Sequence, residues 1–393
     1  MEKELLQSLE GRHPAFEMSF HELLTGLTLE VEAGNVSMRE SDDGLQIYCY
    51  TMQCTVEKSW NVFSLISRGL VLDIENEVVV ATPFPKFFNY GEALYVPDEP
   101  FVTTEKMDGS LGILFHHNGK WRVATKGSFQ SDQAVWAMEY VKNKVDTSWL
   151  HPKSTYLVEI IYPENRIVIP YLEDGLFLLA IYMDGYEFDR GFKKPYEAGY
   201  KAGLKEVNIC SFENVDKIIE YSKTLNKFEE GFVVRFENGY RLKIKGDSYC
   251  RIHRLISNCT PLFIWNCLRA CDNLDLIRAE LPEEFHTDFD NIRQLLKAKF
   301  YKSLSQIEDG FEKCKCLSDK ELGLLLHNAE ASQRFSDVQK QFIFACRKND
   351  FLKKVWTKGK ERDRLFKSLR PKANVLEGFI PSNVMNRFTE ESI

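Results

Sequence analysis

An α+β domain built on antiparallel sheets, followed by an all-α domain, is the fold that this 393-residue sequence predicts. Two observations carry that reading. Up to about residue 250, short apolar or alternating runs recur between turn signals, as strands do. Beyond about Arg251 the period changes. Phe289, Ile292, Leu296, Phe300, Leu304, Ile307 and Phe311 fall at three- and four-residue spacing, which is one face of a long helix. The boundary gives domains of 1–252 and 253–393, with no low-complexity linker between them.

The strand-like runs, in order, are Gln46–Tyr50, Gly69–Asp73, Glu77–Ala81, Leu111–Phe115, Trp121–Thr125, Tyr156–Tyr162, Leu176–Tyr182, Gly231–Phe236 and Tyr240–Ile244. Asp43-Gly44, Asn118-Gly119, Asp184-Gly185 and Asn238-Gly239 punctuate them, and Asn118-Gly119 reads as a tight hairpin turn. Ser131–Val145 and Val215–Leu225 have helical spacing, as do Leu322–Leu326 and the set Val338, Phe342, Cys346 in the second domain.

The composition excludes several classes. No run approaches the ~18 apolar residues of a membrane span, and the richest, Leu176–Met183, is strand-sized. Residues 1–9 lack the basic-then-apolar order of a signal peptide, so the expectation is a cytoplasmic chain with no membrane contact. Ten cysteines lack framework spacing. Neither Cys267/Cys271 nor Cys314/Cys316 has a matching second pair, which favours reduced thiols over zinc. His116-His117 reads as part of a strand and its turn. The net charge of −7 rules out a uniformly basic protein, yet Lys340–Lys372 holds twelve Lys or Arg against three acids, leaving −16 on the rest. Such asymmetry suits a localised polyanion contact, and Trp356 and Phe366 inside it offer stacking partners.

Lys106-Met107-Asp108-Gly109-Ser110 fits K-x-D-G-S, the acceptor signature of covalent nucleotidyltransferases. A lysine amine attacks the α-phosphorus of a nucleoside triphosphate only when deprotonated. Its ordinary pKa of about 10.4 must therefore be lowered by desolvation or nearby positive charge. Glu159 interrupts an apolar strand, and Glu230 opens another. Lys243 and Lys245 follow, two positions apart and so on one strand face. Paired lysines suit a triphosphate, and the two carboxylates suit a hydrated Mg²⁺.

With these residues the sequence resembles the phage-type ATP-dependent RNA ligase 1 family. Ser67–Leu72 resembles the family's arginine-glycine motif, Pro85–Tyr90 its K-F-F-N segment and Thr125–Ser128 its lysine motif. Glu159 through Val168 resembles E-x-x-x-P-x-N-R-I-V, and Glu230–Val233 and Lys243–Lys245 complete the series, with Tyr249 shortly after. The likeness covers roughly residues 45–255.

The resemblance implies a nucleotidyltransferase (adenylyltransferase) domain in which Lys106 accepts AMP. Tyr50, Arg68, Lys86, Phe88, Lys126, Glu159, Glu230, Lys243 and Lys245 would bind ATP, and Glu159 and Glu230 would hold Mg²⁺ or Mn²⁺. Tyr48 competes with Tyr50 for its role. The implied partner is RNA with 5′-phosphate and 3′-hydroxyl ends, such as a cleaved tRNA, sealed in an RNA-repair reaction. The helical domain would recognise that RNA, and a phage-encoded origin acting in host cytoplasm fits. The chain has no P-loop signature, so end healing would fall to a separate enzyme.

Two alternatives stay open. A DNA ligase or capping guanylyltransferase shares most motifs, but both normally continue into an OB-fold where this chain turns helical. A non-enzymatic RNA-binding module would explain the basic stretch. Two carboxylates in its groove would repel phosphate.

Overall fold

The computed structural model describes residues 3–92, 95–188, 193–257, 259–327, 334–372 and 374–382. It divides after Arg251 into two compact units. No described helix is long and apolar enough to cross a membrane, and all ten cysteines are free thiols.

Three sheets build the first unit. The first is an antiparallel meander of β1 (Val36–Glu40), β2 (Leu45–Tyr50), β3 (Arg68–Asp73) and β4 (Val78–Ala81). The second holds β7 (Ser110–His117), β8 (Lys120–Thr125), β9 (Ser154–Ile161), β10 (Gly175–Met183) and β11 (Tyr186–Glu187), in the order β11-β10-β9-β7-β8. The third joins β5 (Phe88–Asn89), β6 (Phe101–Glu105), β12 (Ile209–Cys210), β13 (Gly231–Phe236) and β14 (Arg241–Lys245), in the order β12-β6-β13-β14-β5. Pairing is antiparallel except where the two-residue β5 lies parallel to β14.

The apolar alternation of the sequence closes these sheets on one another. Leu45, Ile47, Val71 and Ala81 of the first sheet pack against Ile113, Phe115, Ala124, Leu157 and Ala180 of the second. The helix Asp132–Lys144, capped by the Ser131 side chain, covers the other face of the second sheet. The helix Phe20–Glu32, opened by a Ser19–Glu22 capping box, covers the first. With both faces covered, β9 is buried at all eight positions, which explains its nearly unbroken apolar run. Glu159 is the carboxylate in that strand.

The described residues of the second unit are helical apart from turns and one isolated bridge. Its spine is the helix His286–Cys314, which buries Phe289, Ile292, Leu296, Phe300, Leu304 and Ile307 and packs against Asp337–Asn349. Phe311, the last position of the expected stripe, is only half-buried.

Candidate active site

Lys106 lies on the short link that leaves β6 of the third sheet and enters β7 of the second. Its own amide donates to the Gly231 carbonyl at 2.8 Å, and the Gly246 amide donates to the Glu230 carbonyl at 2.9 Å, so the ends of β6, β13 and β14 are tied together. Gly231 has φ +136, and a Cβ there would lie 2.1 Å from the Ile244 carbonyl oxygen. Gly231→Ala should therefore cost the first unit about 3 kcal/mol, from backbone strain and the displaced strand. Urea unfolding of the variant beside the parent chain measures that loss.

The Lys106 Nζ donates to Glu230 Oε2 at 2.7 Å and to the Met107 carbonyl at 3.3 Å. The other Glu230 oxygen pairs with Lys245 Nζ at 2.8 Å. Burial alone would lower the Lys106 pKa, but the Glu230 and Glu159 carboxylates outweigh it and hold the amine above its ordinary value. Burial would raise Glu230, yet Lys106 and Lys245 keep it below the usual carboxylate range. Glu159 Oε1 accepts from the Gly109 amide at 3.1 Å. Burial, with Glu230 nearby, pushes Glu159 up to about 7 against the pull of Lys106.

A second group of charges stands beside this one. Lys86 Nζ lies over three aromatic rings, 4.9 Å from Tyr50, 5.5 Å from Trp60 and 5.6 Å from Phe88. Arg68, opposite Cys49 in the β2–β3 register, stacks on Phe87 at 5.2 Å, and its Nη1 is buried without a hydrogen-bond partner. Lys243 also sits over Phe87, at 5.1 Å. Burial, then Lys86 and Arg68, push its pKa well below the ordinary value. Burial would raise the Tyr50 hydroxyl, but Arg68, Lys86 and Lys126 outweigh it and lower it. Among the described residues none of Arg68, Lys86, Lys126 and Lys243 forms an ion pair. Four basic side chains thus lie near one another with no carboxylate within ion-pair distance, although Arg68 is close enough to act on Glu159.

The sequence-derived residues thus fall into two neighbouring sets, one around Lys106, Glu159, Glu230 and Lys245, the other around Tyr50, Arg68, Lys86, Lys126 and Lys243. Phe88 is buried and acts as a wall behind Lys86. Tyr48 is buried too, bonded to Gln46, while Tyr50 faces the cations. Lys243 and Lys245 share a strand face yet serve the two different sets.

Several supports are motif positions to which the sequence reading gave no role of their own. Asp108 is buried and accepts from the Val168 and Ile169 amides, both at 2.9 Å, and from the Tyr249 hydroxyl at 2.6 Å. It ties the Lys106 link to two distant segments. Asn165 bonds Ser110 and the Ile160 carbonyl, each at 3.0 Å, and so fixes the same link from β9. Trp60 had no local signal at all. Among the described residues no three metal-ligating side chains converge.

Residues 66–249 match a family model described as RNA ligase. A curated RNA ligase of Rhodothermus phage RM378 is 23% identical over 67% of this chain and 77% of its own length. RNA ligase 1 of bacteriophage TS2126 is 29% identical over 29% of this chain, which spans 33% of that relative. Among solved structures, an archaeal ATP-dependent RNA ligase is similar at 14% identity and a TM-score of 0.45, over 78% of this chain and 83% of that one. So slight a structural likeness carries no argument. The family match instead spans the segment that carries Lys106, both glutamates, Arg68, Lys86, Lys126, Lys243 and Lys245, and leaves out Tyr50 and its strand. Over residues 66–249 the chain is thus similar to the RNA ligases, those of phages among them.

Proposed function

We propose that the chain joins an RNA 3′-hydroxyl to an RNA 5′-phosphate, using ATP, through a lysyl-AMP on Lys106 and an RNA-adenylate. The observation that carries the reading is the juxtaposition of Lys106 with four cations that lack ion-pair partners. A triphosphate would satisfy Arg68 Nη1 and offset the burial and the neighbouring positive charge that together depress Lys243.

The Lys106 lone pair attacks the α-phosphorus, the bond to the β-phosphate oxygen breaks, and pyrophosphate leaves. AMP then passes to the RNA 5′-phosphate. Attack by the 3′-hydroxyl forms the phosphodiester and expels AMP. Arg68, Lys86, Lys126, Lys243 and Lys245 offset phosphate charge, Tyr50 and Phe88 wall the Lys86 end, and Glu159 and Glu230 hold ribose or metal-bound water. Mg²⁺ or Mn²⁺, when bound, adds positive charge at phosphorus. With no triad of such ligands among the described residues, the carboxylates suit an ion that keeps several waters and reaches the site with phosphate ligands. The RNA we propose is a broken strand in repair, such as cleaved tRNA, healed beforehand by a separate enzyme.

The test is incubation with α-labelled ATP and then with a 5′-phosphorylated, 3′-hydroxyl RNA. The expected result is labelled protein that discharges AMP to RNA, followed by sealed RNA. Labelling by GTP in place of ATP would move the chain to the capping branch, and discharge only to a nicked DNA duplex would make it a DNA ligase. Lys243→Gln should raise the ATP concentration needed for half-maximal labelling about tenfold or more, since a charge-assisted phosphate contact is lost. A titration of label against ATP measures it.

A further inference from the structure

The basic stretch of the second unit changes character once its side chains are placed. Arg362 faces inward. Its guanidinium donates to the carbonyls of Arg269, Leu268 and Val355 and stacks 4.7 Å from the Phe366 ring and 5.4 Å from Phe300. Arg347 bonds Asp319 and the Cys314 carbonyl. Phe366, a stacking partner in the sequence reading, is 2% exposed and closed to any ligand. Its place is taken by a residue far away in sequence.

Tyr301, on the helix His286–Cys314, is 53% exposed, and Trp356 is 52% exposed. Their rings stand 6.0 Å apart at a 39° tilt. Phe300 packs at 5.8 Å from Trp356 and 5.7 Å from Tyr301. The Arg362–Val355 bond fixes the backbone next to Trp356, so the pair is held in place while its outer surface stays open. Lys353, Lys354, Lys358 and Lys360 are all exposed around Trp356, and no acid occurs between Asp350 and Glu361. Lys297 lies one helical turn before Tyr301 on the same face.

We propose that Trp356 and Tyr301 form a platform on which an unpaired base of the RNA substrate stacks, with the flanking lysines holding its phosphates. The inference rests on the RNA-joining reading and adds to it a second contact, wholly within the second unit. Aromatic faces accept any base, and lysines beside them neutralise the strand that carries it. A protein surface apolar enough to cover both rings would have to bury those lysine charges, which a nucleic-acid strand pairs instead.

The test is the anisotropy of a fluorescein-labelled oligouridylate titrated with the full chain in EDTA, at several salt concentrations. Trp356→Ala and Tyr301→Ala should each weaken binding about tenfold, with the salt slope unchanged. Trp356→Phe should recover most of the loss, which a folding defect would not allow. Lys353→Gln with Lys354→Gln should flatten the salt slope by about 1.4. Unchanged affinity in Trp356→Ala, or binding of polyglutamate with the same sensitivity to that substitution, would overturn the platform. Labelling of Lys106 in the same preparations keeps the two readings apart. Its absence from the parent chain defeats the ligase reading, whereas its survival in Trp356→Ala beside weakened RNA binding is the expected result.

Discussion

Lys106→Ala abolishes the labelled protein adduct, lowering its formation roughly 10⁴-fold or more, because no other amine occupies the position of attack. The substitution should leave the fold intact, since Glu230 keeps Lys245 at 2.8 Å as its counter-ion. Thermal unfolding of the variant checks this, and gel autoradiography reads the adduct. In the parent chain adduct formation should also depend steeply on pH. Only the neutral amine attacks, and Glu230 and Glu159 hold the Lys106 pKa above its ordinary value. Below that pKa the rate therefore climbs about tenfold per pH unit. A rate flat across neutral pH would mean that the amine is already neutral and that the Lys106–Glu230 pair does not govern it.

Glu159→Gln separates stability from activity. Folded, Glu159 titrates at about 7; its ordinary value is 4.5. The folded chain therefore holds this proton more tightly than the unfolded chain does. The carboxylate's contribution is neutral below the unfolded pKa, becomes unfavourable as pH rises, and reaches its full cost above the folded one. The isosteric amide removes a penalty on the order of 3 kcal/mol above neutrality and can still accept from the Gly109 amide. Glu159→Gln should thus unfold at higher urea than the parent at about pH 8, with the gain shrinking toward about pH 5, while adduct formation falls. A loss of stability at alkaline pH would show that Glu159 is stabilised by its charge partners after all.

Much of this architecture was legible where patterns are long. The runs that became β2, β3, β7 to β10, β13 and β14 alternate or bury both faces, and the 29-residue helix His286–Cys314 repeats its apolar stripe for about six turns. The short elements were not legible. β5 and β12 have two residues each and exist through pairing with distant strands. β6, Phe-Val-Thr-Thr-Glu, runs straight into the Lys106 link, so no turn signal closes it.

The site divides along the same line. Lys106 stands out through its K-x-D-G-S motif, and Glu159, Lys243 and Lys245, with Glu230 at the mouth of β13, because charged groups in or beside apolar strands need a reason. Asp108 was legible only as a letter of the K-x-D-G-S motif, and its three donors reveal it as a tie between segments. Trp60 and Tyr301 could not be read at all, because Phe88 and Trp356, the rings that give them their settings, lie far away in sequence.

The link Lys106–Ser110 is also a strap between two sheets, anchored at Gly231 on one side and at Asn165 and Glu159 on the other. Whatever is attached to the lysine amine therefore pulls on a piece of backbone that both sheets share. Loading and unloading the nucleotide should alter amide hydrogen exchange in β6 and β7 together. The covalent state of one side chain would then be felt as a change in stiffness across the whole first unit.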